Sequence, residues 1–423
     1  MSTHGLWAAS APPGPVCPEL AAETTADVVI IGGGFTGCSA ALHLAQAGRR
    51  PVILEAEEVG FGGAGRNVGL VNAGLWVMPD RITARLGELR GERLLRHLGD
   101  APRVVFDLIE KHAIRCQPRS AGTLHCALGE SGYREIQERA RQWQARGADV
   151  ELLDARQTAA RVGSSRYTGA LLDRRAGTIQ PLAYVRGLAH AAMAAGAGIH
   201  AHSAVIGYEL LGTAWKVRTA RGSVTAPCVI VATDAYSHGV SAALRREQVM
   251  LPYFNLATAP LAPAILTTIL PEGQGVWDTR TVLSSVRLDA SGRLIFGSVG
   301  ALRAGGAATH RAWARRELAR IFPQLRPIRF EHEWYGLIGM TDDALPRFHE
   351  LGRNMYSISG YNGRGIGPGT LFGRDLARLA LEQVAADELA LPLTPLRTAR
   401  FRALKGALYE FGAQAVHWVS ARY

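Results

Sequence analysis

Asp27-Val-Val-Ile-Ile-Gly-Gly-Gly-Phe-Thr-Gly37 opens a segment that continues through Cys38 to Gly48 and closes with Arg49-Arg-Pro-Val-Ile-Leu-Glu55. The apolar run Val28–Ile31 reads as a buried strand, and Ala40, Ala41, Leu44 and Ala45 mark one face of a helix. The second apolar run ends at Glu55. Together they form one βαβ unit. Gly32, Gly34 and Gly37 fall on the G-x-G-x-x-G spacing. The first glycine makes the tight turn, the second lets backbone N–H groups approach a pyrophosphate, and the third lets helix and sheet pack closely. The unpaired N–H groups at the helix start, with the positive end of its dipole, favour phosphate. Glu55 stands about 20 residues on, where a carboxylate accepts hydrogen bonds from a ribose 2′-OH. A glycine turn alone is common in α/β proteins. Strand, helix, second strand and terminal acid together point to a dinucleotide.

A second glycine loop near the other end of the chain narrows the choice. Met355-Tyr-Ser-Ile-Ser-Gly-Tyr-Asn-Gly-Arg-Gly-Ile-Gly-Pro-Gly-Thr370 again reads as strand, loop and helix start. Two anion-favouring helix termini suit a ligand with two regions to stabilise. A flavin dinucleotide has both, a pyrophosphate and a ring edge that gains negative charge on reduction. Between them, Gly60–Gly74 is a glycine-dense loop too long for a simple turn, of the kind that lines a ligand.

The composition fits a large α/β protein. The chain has 423 residues, 48% hydrophobic and 20% charged, enough for two domains or one large composite one. Its net charge of +11 comes almost wholly from arginine, since Lys111, Lys216 and Lys405 are the only lysines. The cations are scattered, without a basic block or a recognisable nucleic-acid module, which argues against nucleic acid as a partner. Steering of an anionic substrate stays open. Cys17, Cys38, Cys116, Cys126 and Cys228 contain no C-x-x-C, so neither a disulfide framework nor a zinc site is expected, and reduced thiols fit a cytoplasmic location. No basic segment followed by an apolar core opens the chain. No run reaches the length of a membrane span, and Ala257–Leu270 is interrupted by Pro260 and Pro263.

Further patterns give the expected order of elements. Residues 1–26 read as an extended arm. Helices are expected at Asp80–His97, Ala101–Lys111, Tyr133–Arg146, Leu182–Ala195, Trp313–Ile321 and Leu371–Ala385. Strands are expected near Gly122–Leu128 and Ile199–Ile206, in a hairpin around Trp215 and Val224, and at Cys228-Val-Ile-Val-Ala-Thr-Asp-Ala-Tyr236. Val282–Leu288 and Gly292–Gly297 read as antiparallel strands. The fold class is α/β, a Rossmann-like dinucleotide domain with an inserted antiparallel β-sheet substrate domain. The expected division assigns residues 1–95, 151–239 and 330–423 to the first and 96–150 and 240–329 to the second. The C-terminal stretch Arg402–Tyr423 is an amphipathic helix with Leu404, Leu408, Phe411, Ala415 and Trp418 on one face, expected to pack on the body. Were that face to touch a membrane, electrons could pass to quinone.

At this point the chain resembles the FAD-dependent amine and amino-acid oxidases of the D-amino-acid oxidase/glycine oxidase superfamily. The likeness covers nearly the whole length. It rests on Val29-Ile-Ile-Gly-Gly-Gly-Phe-Thr-Gly37, Gly62-Gly-Ala-Gly-Arg-Asn-Val-Gly69, Val229-Ile-Val-Ala-Thr-Asp-Ala-Tyr236 and Ser359-Gly-Tyr-Asn-Gly-Arg-Gly365. Leu171-Leu-Asp-Arg-Arg-Ala-Gly-Thr-Ile179 and Trp277-Asp-Thr-Arg-Thr-Val-Leu-Ser-Ser285 add a closer similarity to bacterial L-pipecolate oxidases, with γ-glutamylputrescine oxidases as near neighbours. The resemblance implies FAD as cofactor, held by Gly32, Gly34, Phe35, Thr36 and Gly37. It places Glu55 and Ala56 at the ribose, and Gly62, Gly63, Ala64, Gly65, Arg66, Asn67, Val68, Gly69 and Leu70 along the pyrophosphate and ring. Val205 flanks the adenine, Ala232 and Thr233 lie beside the cofactor, and Asn362, Gly363, Arg364, Gly365, Ile366 and Gly367 cup the ring edge. Two departures stand out. Ala232-Thr-Asp234 replaces the Ala-Thr-Gly of many flavoproteins, and Leu337-Ile-Gly-Met-Thr341 lacks the carboxylate-binding arginine that several amino-acid oxidases keep there.

Amine oxidation by flavin asks the protein chiefly to orient the α C–H bond. A carboxylated substrate calls for a planar bidentate cation walled by aromatic groups. The candidates are Arg66, Arg280 and Arg364 for the carboxylate, and Tyr253, Trp334, Tyr335 and Tyr361 for the walls. Each has a plainer reading: Arg66 on pyrophosphate, Arg280 paired with Asp278 or Asp289, Trp334 in the core. His332, between Glu331 and Glu333, reads as a charged strand end and not as a metal or base site. The expected activity is FAD-dependent oxidation of a secondary amine or imino acid, L-pipecolate first, with O2 as acceptor. The alternatives are oxidation of γ-glutamylputrescine or another amine, a membrane-linked amino-acid dehydrogenase, and a flavin-binding protein without turnover.

Overall fold

A computed structural model describes residues 4–237 and 239–420. Val28–Ile31 lies inside a six-stranded sheet, in the order Arg347–Gly352, Met355–Ser359, Cys228–Val231, Val28–Ile31, Pro51–Leu54, Gly198–His200. All neighbours are parallel except the first pair. Val28–Ile31 and Cys228–Val231 are buried along their whole length, as continuous apolar strands covered on both faces must be. Their side chains alternate between two layers. Val28 and Ile30 join the helices Phe35–Gln46, Pro181–Ala194 and Ile366–Ala380, while Val29 and Ile31 face Val217 and Val224 of a four-stranded sheet.

The second large sheet has eight strands, in the order Phe330–Met340, Val249–Pro260, Arg293–Val299, Ser284–Leu288, Gly275–Asp278, Thr123–Ala127, Gly169–Asp173, Val150–Leu153. It is antiparallel except where Gly275–Asp278 runs parallel to Thr123–Ala127. Phe254 and Leu256 point to one face, where they pack with Trp313 and Leu318 of the helix Ala304–Ile321. The strand pleat turns Tyr253 and Asn255 the other way, and Asn255 donates to the Arg66 carbonyl. The glycine loop therefore lies on the face opposite that helix.

Several expectations change. Val150–Leu153, Gly169–Asp173 and Phe330–Met340 belong to the eight-stranded sheet, so the boundaries placed at 151 and 330 do not follow the sheets. Residues 80–97 form two helices, Pro79–Leu86 and Glu88–Gly99, because Gly87 at φ 77 breaks the chain between them. The strand expected to reach Ile206 ends at His200, before His202 turns at φ 51. The N-terminal arm contains the helix Leu6–Ser10, with Trp7 fully buried, and residues 1–3 lie outside the described ones. The C-terminal helix spans Arg402–Val419, and residues 421–423 also lie outside. Its apolar face does not pack as expected: Leu404, Leu408, Phe411 and Trp418 are exposed, whereas Ala413 and His417 are buried.

The helices Phe35–Gln46 and Ile366–Ala380 meet through small residues. A Cβ on Gly373 would lie 2.5 Å from the Thr36 carbonyl oxygen and 2.8 Å from Ser39 Cβ. Backbone cannot yield as a flexible side chain does. Gly373→Ala is expected to lower unfolding stability by about 1–3 kcal/mol. Urea denaturation checks this, and an unchanged midpoint would refute the close helix contact.

Candidate active site

The first glycine turn is shaped by close backbone contact. Gly32 adopts φ 108, and a Cβ there would lie 2.8 Å from the Ala232 carbonyl oxygen. A Cβ on Gly37 would lie 2.0 Å from the Gly32 carbonyl oxygen. Gly34 caps the Phe35–Gln46 helix without any side-chain cap, and a Cβ placed on it meets only Ala64 Cβ, at 3.8 Å. The first N–H groups of that helix are left to something other than a capping side chain. Glu55 closes the turn: its Oε2 accepts from Gly33 N at 2.6 Å and its Oε1 from Glu57 N at 3.0 Å. Burial pushes its carboxyl up, and the backbone donors oppose that. Ser203 N donates to the Glu55 carbonyl, at 2.8 Å, which brings the turn carrying Val205 alongside.

The second glycine loop reaches the same place. Tyr361 OH and Thr36 Oγ1 are 2.7 Å apart, both buried, and Ser39 Oγ donates to the Thr370 carbonyl at 2.6 Å. Two glycine-led helix starts, Phe35 and Ile366, thus stand side by side. Asn362 sits at φ 52, with Oδ1 accepting from Thr341 N at 2.8 Å, while Trp76 Nε1 donates to its carbonyl at 2.6 Å. Asp234 anchors the loop entry from the Cys228–Val231 strand end. Its Oδ1 accepts from Gly360 N at 2.7 Å and from Gln248 Nε2 at 3.2 Å. Burial pushes this carboxyl up to about 6.

The eight-stranded sheet supplies the facing wall. Trp334 Nε1 and Asn255 Nδ2 both donate to the Arg66 carbonyl, at 3.0 and 3.1 Å. The Arg66 guanidinium lies 4.4 Å from the Phe61 ring centroid. Trp7 edges onto Trp334 at 5.3 Å and donates to the Asn67 carbonyl at 2.8 Å, so the N-terminal helix is part of this wall. Arg287 is fully buried without a carboxylate hydrogen bond. It donates to the carbonyls of Gly69, Val68, Ile179 and Leu288, and burial pushes its guanidinium down to about 10. Arg364 is held at Ala73 O, 2.9 Å away, and lies 4.6 and 4.9 Å from the rings of Trp76 and Trp277. His125 stacks on Trp277 at 3.5 Å, and burial keeps it well below the usual histidine range. Arg66 Nε, Arg364 Nε, Asn255 Oδ1 and Trp277 Nε1 are buried without a hydrogen-bond partner. Each such atom costs about 1–3 kcal/mol, so four of them, on the loops at Arg66 and Arg364 and on the strands carrying Asn255 and Trp277, fit a site built for a polar molecule.

The profile of the FAD dependent oxidoreductase family (DAO) matches residues 27–379, from the Val28–Ile31 strand through the second glycine loop and most of its helix. The chain belongs to this family. Among its relatives, γ-glutamylputrescine oxidoreductase of Escherichia coli (strain K12) is 34% identical over 89% of this chain and 88% of its own. A probable oxidoreductase, OrdL, of Haemophilus influenzae is 31% identical over 86% and 85%. Solved structures share the fold. Glycine oxidase from Geobacillus kaustophilus gives a TM-score of 0.69 at 20% identity, covering 89% of this chain and 99% of that one. L-proline dehydrogenase from P. horikoshii gives 0.71 at 17%, covering 92% and 97%. This chain is therefore an FAD-dependent oxidoreductase. The glycine-led helix starts and the unpartnered donors fit that cofactor.

The fold of this FAD-dependent oxidoreductase brings Arg66, Trp334, Tyr361 and Arg364 to the converging loops, and Tyr253 to the same sheet face as Asn255. Tyr253 OH lies 2.7 Å from Ser285 Oγ. Two expected residues fall elsewhere. Arg280 pairs with buried Glu317 at 2.8 Å, on the side of the Ala304–Ile321 helix, because the loop after Asp278 turns to that face. Tyr335 packs with the Phe254 cluster on that side, since strand alternation sends it opposite to Trp334. Tyr361, a candidate wall, also braces Thr36 through its hydroxyl. Trp7, Trp76, His125, Trp277 and Arg287, which touch these loops and were not among the sequence candidates, join the candidate site. Arg287 left a signal, as a charged residue inside the buried strand Ser284–Leu288, and Trp277 opens one of the stretches that carry the family likeness.

Asp234 yields a pH test for the oxidoreductase. Its carboxyl is raised from 3.8 to about 6, so the stability it contributes is complete below about pH 4 and lost as pH rises through about 6. Asn keeps an acceptor for Gly360 N and tolerates the φ of 39. Asp234→Asn is expected to be more stable than wild type above about pH 7, by roughly 1–3 kcal/mol, with the gain gone near pH 4. Melting curves across this range check it, and a pH-independent difference would refute it.

Proposed function

We propose that this chain oxidises a carboxylate-bearing secondary amine at its CH–NH bond, with L-pipecolate as the leading substrate and O2 as the electron acceptor. The observation that carries the reading is Arg364. It is a buried guanidinium between two indoles, with one nitrogen lacking a partner and burial pushing it down to about 9. A cation held this way, without a carboxylate in hydrogen-bond contact, is stabilised by a ligand carboxylate, and its planar fork fixes the ligand's orientation. Trp76, Trp277 and His125 give flat walls suited to a small ring. His125, kept neutral, adds no competing charge.

Within this proposal, Gly32, Gly34, Phe35, Thr36 and Gly37 hold the pyrophosphate at the helix start, and Glu55 with Ala56 meets the ribose. Val205 borders the adenine. Ala232 and Thr233 flank the turn, residues 62–70 run along the cofactor, and residues 362–367 border the ring. FAD, when bound, would supply the two-electron acceptor for oxidation of the amine carbon. The chain's own part is to pin the substrate carboxylate at Arg364, close the site with Trp334 and Trp7, and keep the glycine loops in register through Tyr361 and Asp234. Arg287 keeps the loop at Gly69 against the sheet.

A second reading, γ-glutamylputrescine or a related amine, is favoured by the 34% identity to the Escherichia coli enzyme of that name. A panel of L-pipecolate, L-proline, sarcosine, γ-glutamylputrescine and an uncarboxylated amine, scored by peroxide release, separates the two. L-Pipecolate should give the highest kcat/KM, and Arg364→Met should lower it by about a hundredfold or more, while oxidation of the uncarboxylated amine changes far less. A wild-type preference for the uncarboxylated amine would refute the carboxylate clamp.

A further inference from the structure

We propose that the C-terminal helix docks this protein on an anionic lipid surface. The helix Arg402–Val419 lies on the protein with its polar side inward. Arg402 donates to the Gln248 carbonyl at 2.8 Å, Lys405 to Asp342 at 2.7 Å, and Glu410 accepts from Arg303 at 2.8 Å. His417 is buried, with its Nδ1 2.8 Å from that of His310. The charged residues that would normally face water are thus used on the body. The opposite side shows Phe401 at 74%, Leu404 at 69%, Leu408 at 65%, Phe411 at 66%, Trp418 at 61% and Val419 at 61% exposure. These positions recur along one continuous face about 25 Å long, and no charged side chain interrupts it. A contiguous apolar surface of that kind marks a contact site.

Charge decides which partner fits. Where the helix begins, Ala399 N donates to the Arg246 carbonyl at 2.9 Å, which gathers Arg245, Arg246, Arg397 and Arg400 beside Phe401. All four are exposed, and none forms an ion pair among the described residues. The nearby Glu247 is taken by Arg347 and His349. An apolar face with an unpaired cationic cluster at its end matches a bilayer carrying anionic headgroups. A second copy of the chain would have to cover the cluster, and the one acid of this helix, Glu410, is already used by Arg303. No helix among the described residues is long and apolar enough to cross a membrane, so the contact is interfacial.

Co-sedimentation of the full FAD-loaded protein with phosphatidylglycerol–phosphatidylcholine vesicles, and with phosphatidylcholine alone, tests this. Wild type should pellet with the anionic vesicles and more weakly with the neutral ones. Arg245→Gln with Arg246→Gln should weaken anionic binding by about thirtyfold, and Leu404→Gln with Phe411→Gln should abolish it. All four positions are exposed, so melting temperature and flavin content should not change. No binding by wild type, or binding indifferent to both double variants, overturns the proposal. So does a dimer in light scattering that Leu404→Gln with Phe411→Gln dissociates, without vesicle binding by wild type.

Discussion

The contact between Thr36 and Tyr361 is the constraint on which the rest of the structure depends. It joins the first turn of one glycine-led helix to the loop that starts another, 325 residues apart in the chain. Gly369 and Gly373 leave room for the Phe35–Gln46 helix, and Ser39 bonds across to Thr370. The helix starts, with their unpaired N–H groups, are thereby fixed relative to each other before any ligand arrives. Preorganisation of this kind removes an ordering cost that binding would otherwise bear.

The second constraint is the use of buried cations in place of apolar packing. Arg287, Arg364 and Arg139 are buried, and each donates to backbone carbonyls. Desolvation is the largest influence lowering each of the three guanidinium groups. A carbonyl satisfies a donor without neutralising the charge, so Arg287 and Arg364 retain a field that an anionic group can meet, whereas Arg139 also pairs with Glu135 at 3.5 Å. Arg287 turns that field on the loop at Gly69, and Arg364 turns it on the aromatic pair Trp76 and Trp277. The Arg280–Glu317 pair shows the contrasting case, in which a buried carboxylate takes the cation and leaves no such field.

The chain ends also serve the core of the molecule. Trp7, in a helix of five residues, fills the space beside Trp334 and ties to Asn67. The C-terminal helix is pinned through His417, stacked on Trp313 at 3.6 Å, and turns its apolar side outward. Its amphipathic pattern was plain in the sequence, but periodicity alone gives no information about which side faces the body.

The local elements were legible because they rest on short-range rules. Glycine spacing, a buried apolar strand and a terminal acid specify the βαβ unit, and the second glycine loop announces a second helix start. Ala101–Lys111 was read to the residue for the same reason. Gly87 and His202, which cut expected elements short, owe their effect to single backbone conformations that a hydrophobic pattern does not encode. What only tertiary structure decided is which face each side chain takes and which distant residue it meets. Tyr335 and Trp334 are neighbours in sequence but lie on opposite sides of one sheet. Arg280 is lost to Glu317, and Trp76 and Trp277 come together around Arg364 across some two hundred residues of chain. Sequence determined the dinucleotide scaffold, since hydrogen bonding and sterics act over a few residues there. The site's wall was decided by strand register, and register depends on how the whole sheet packs.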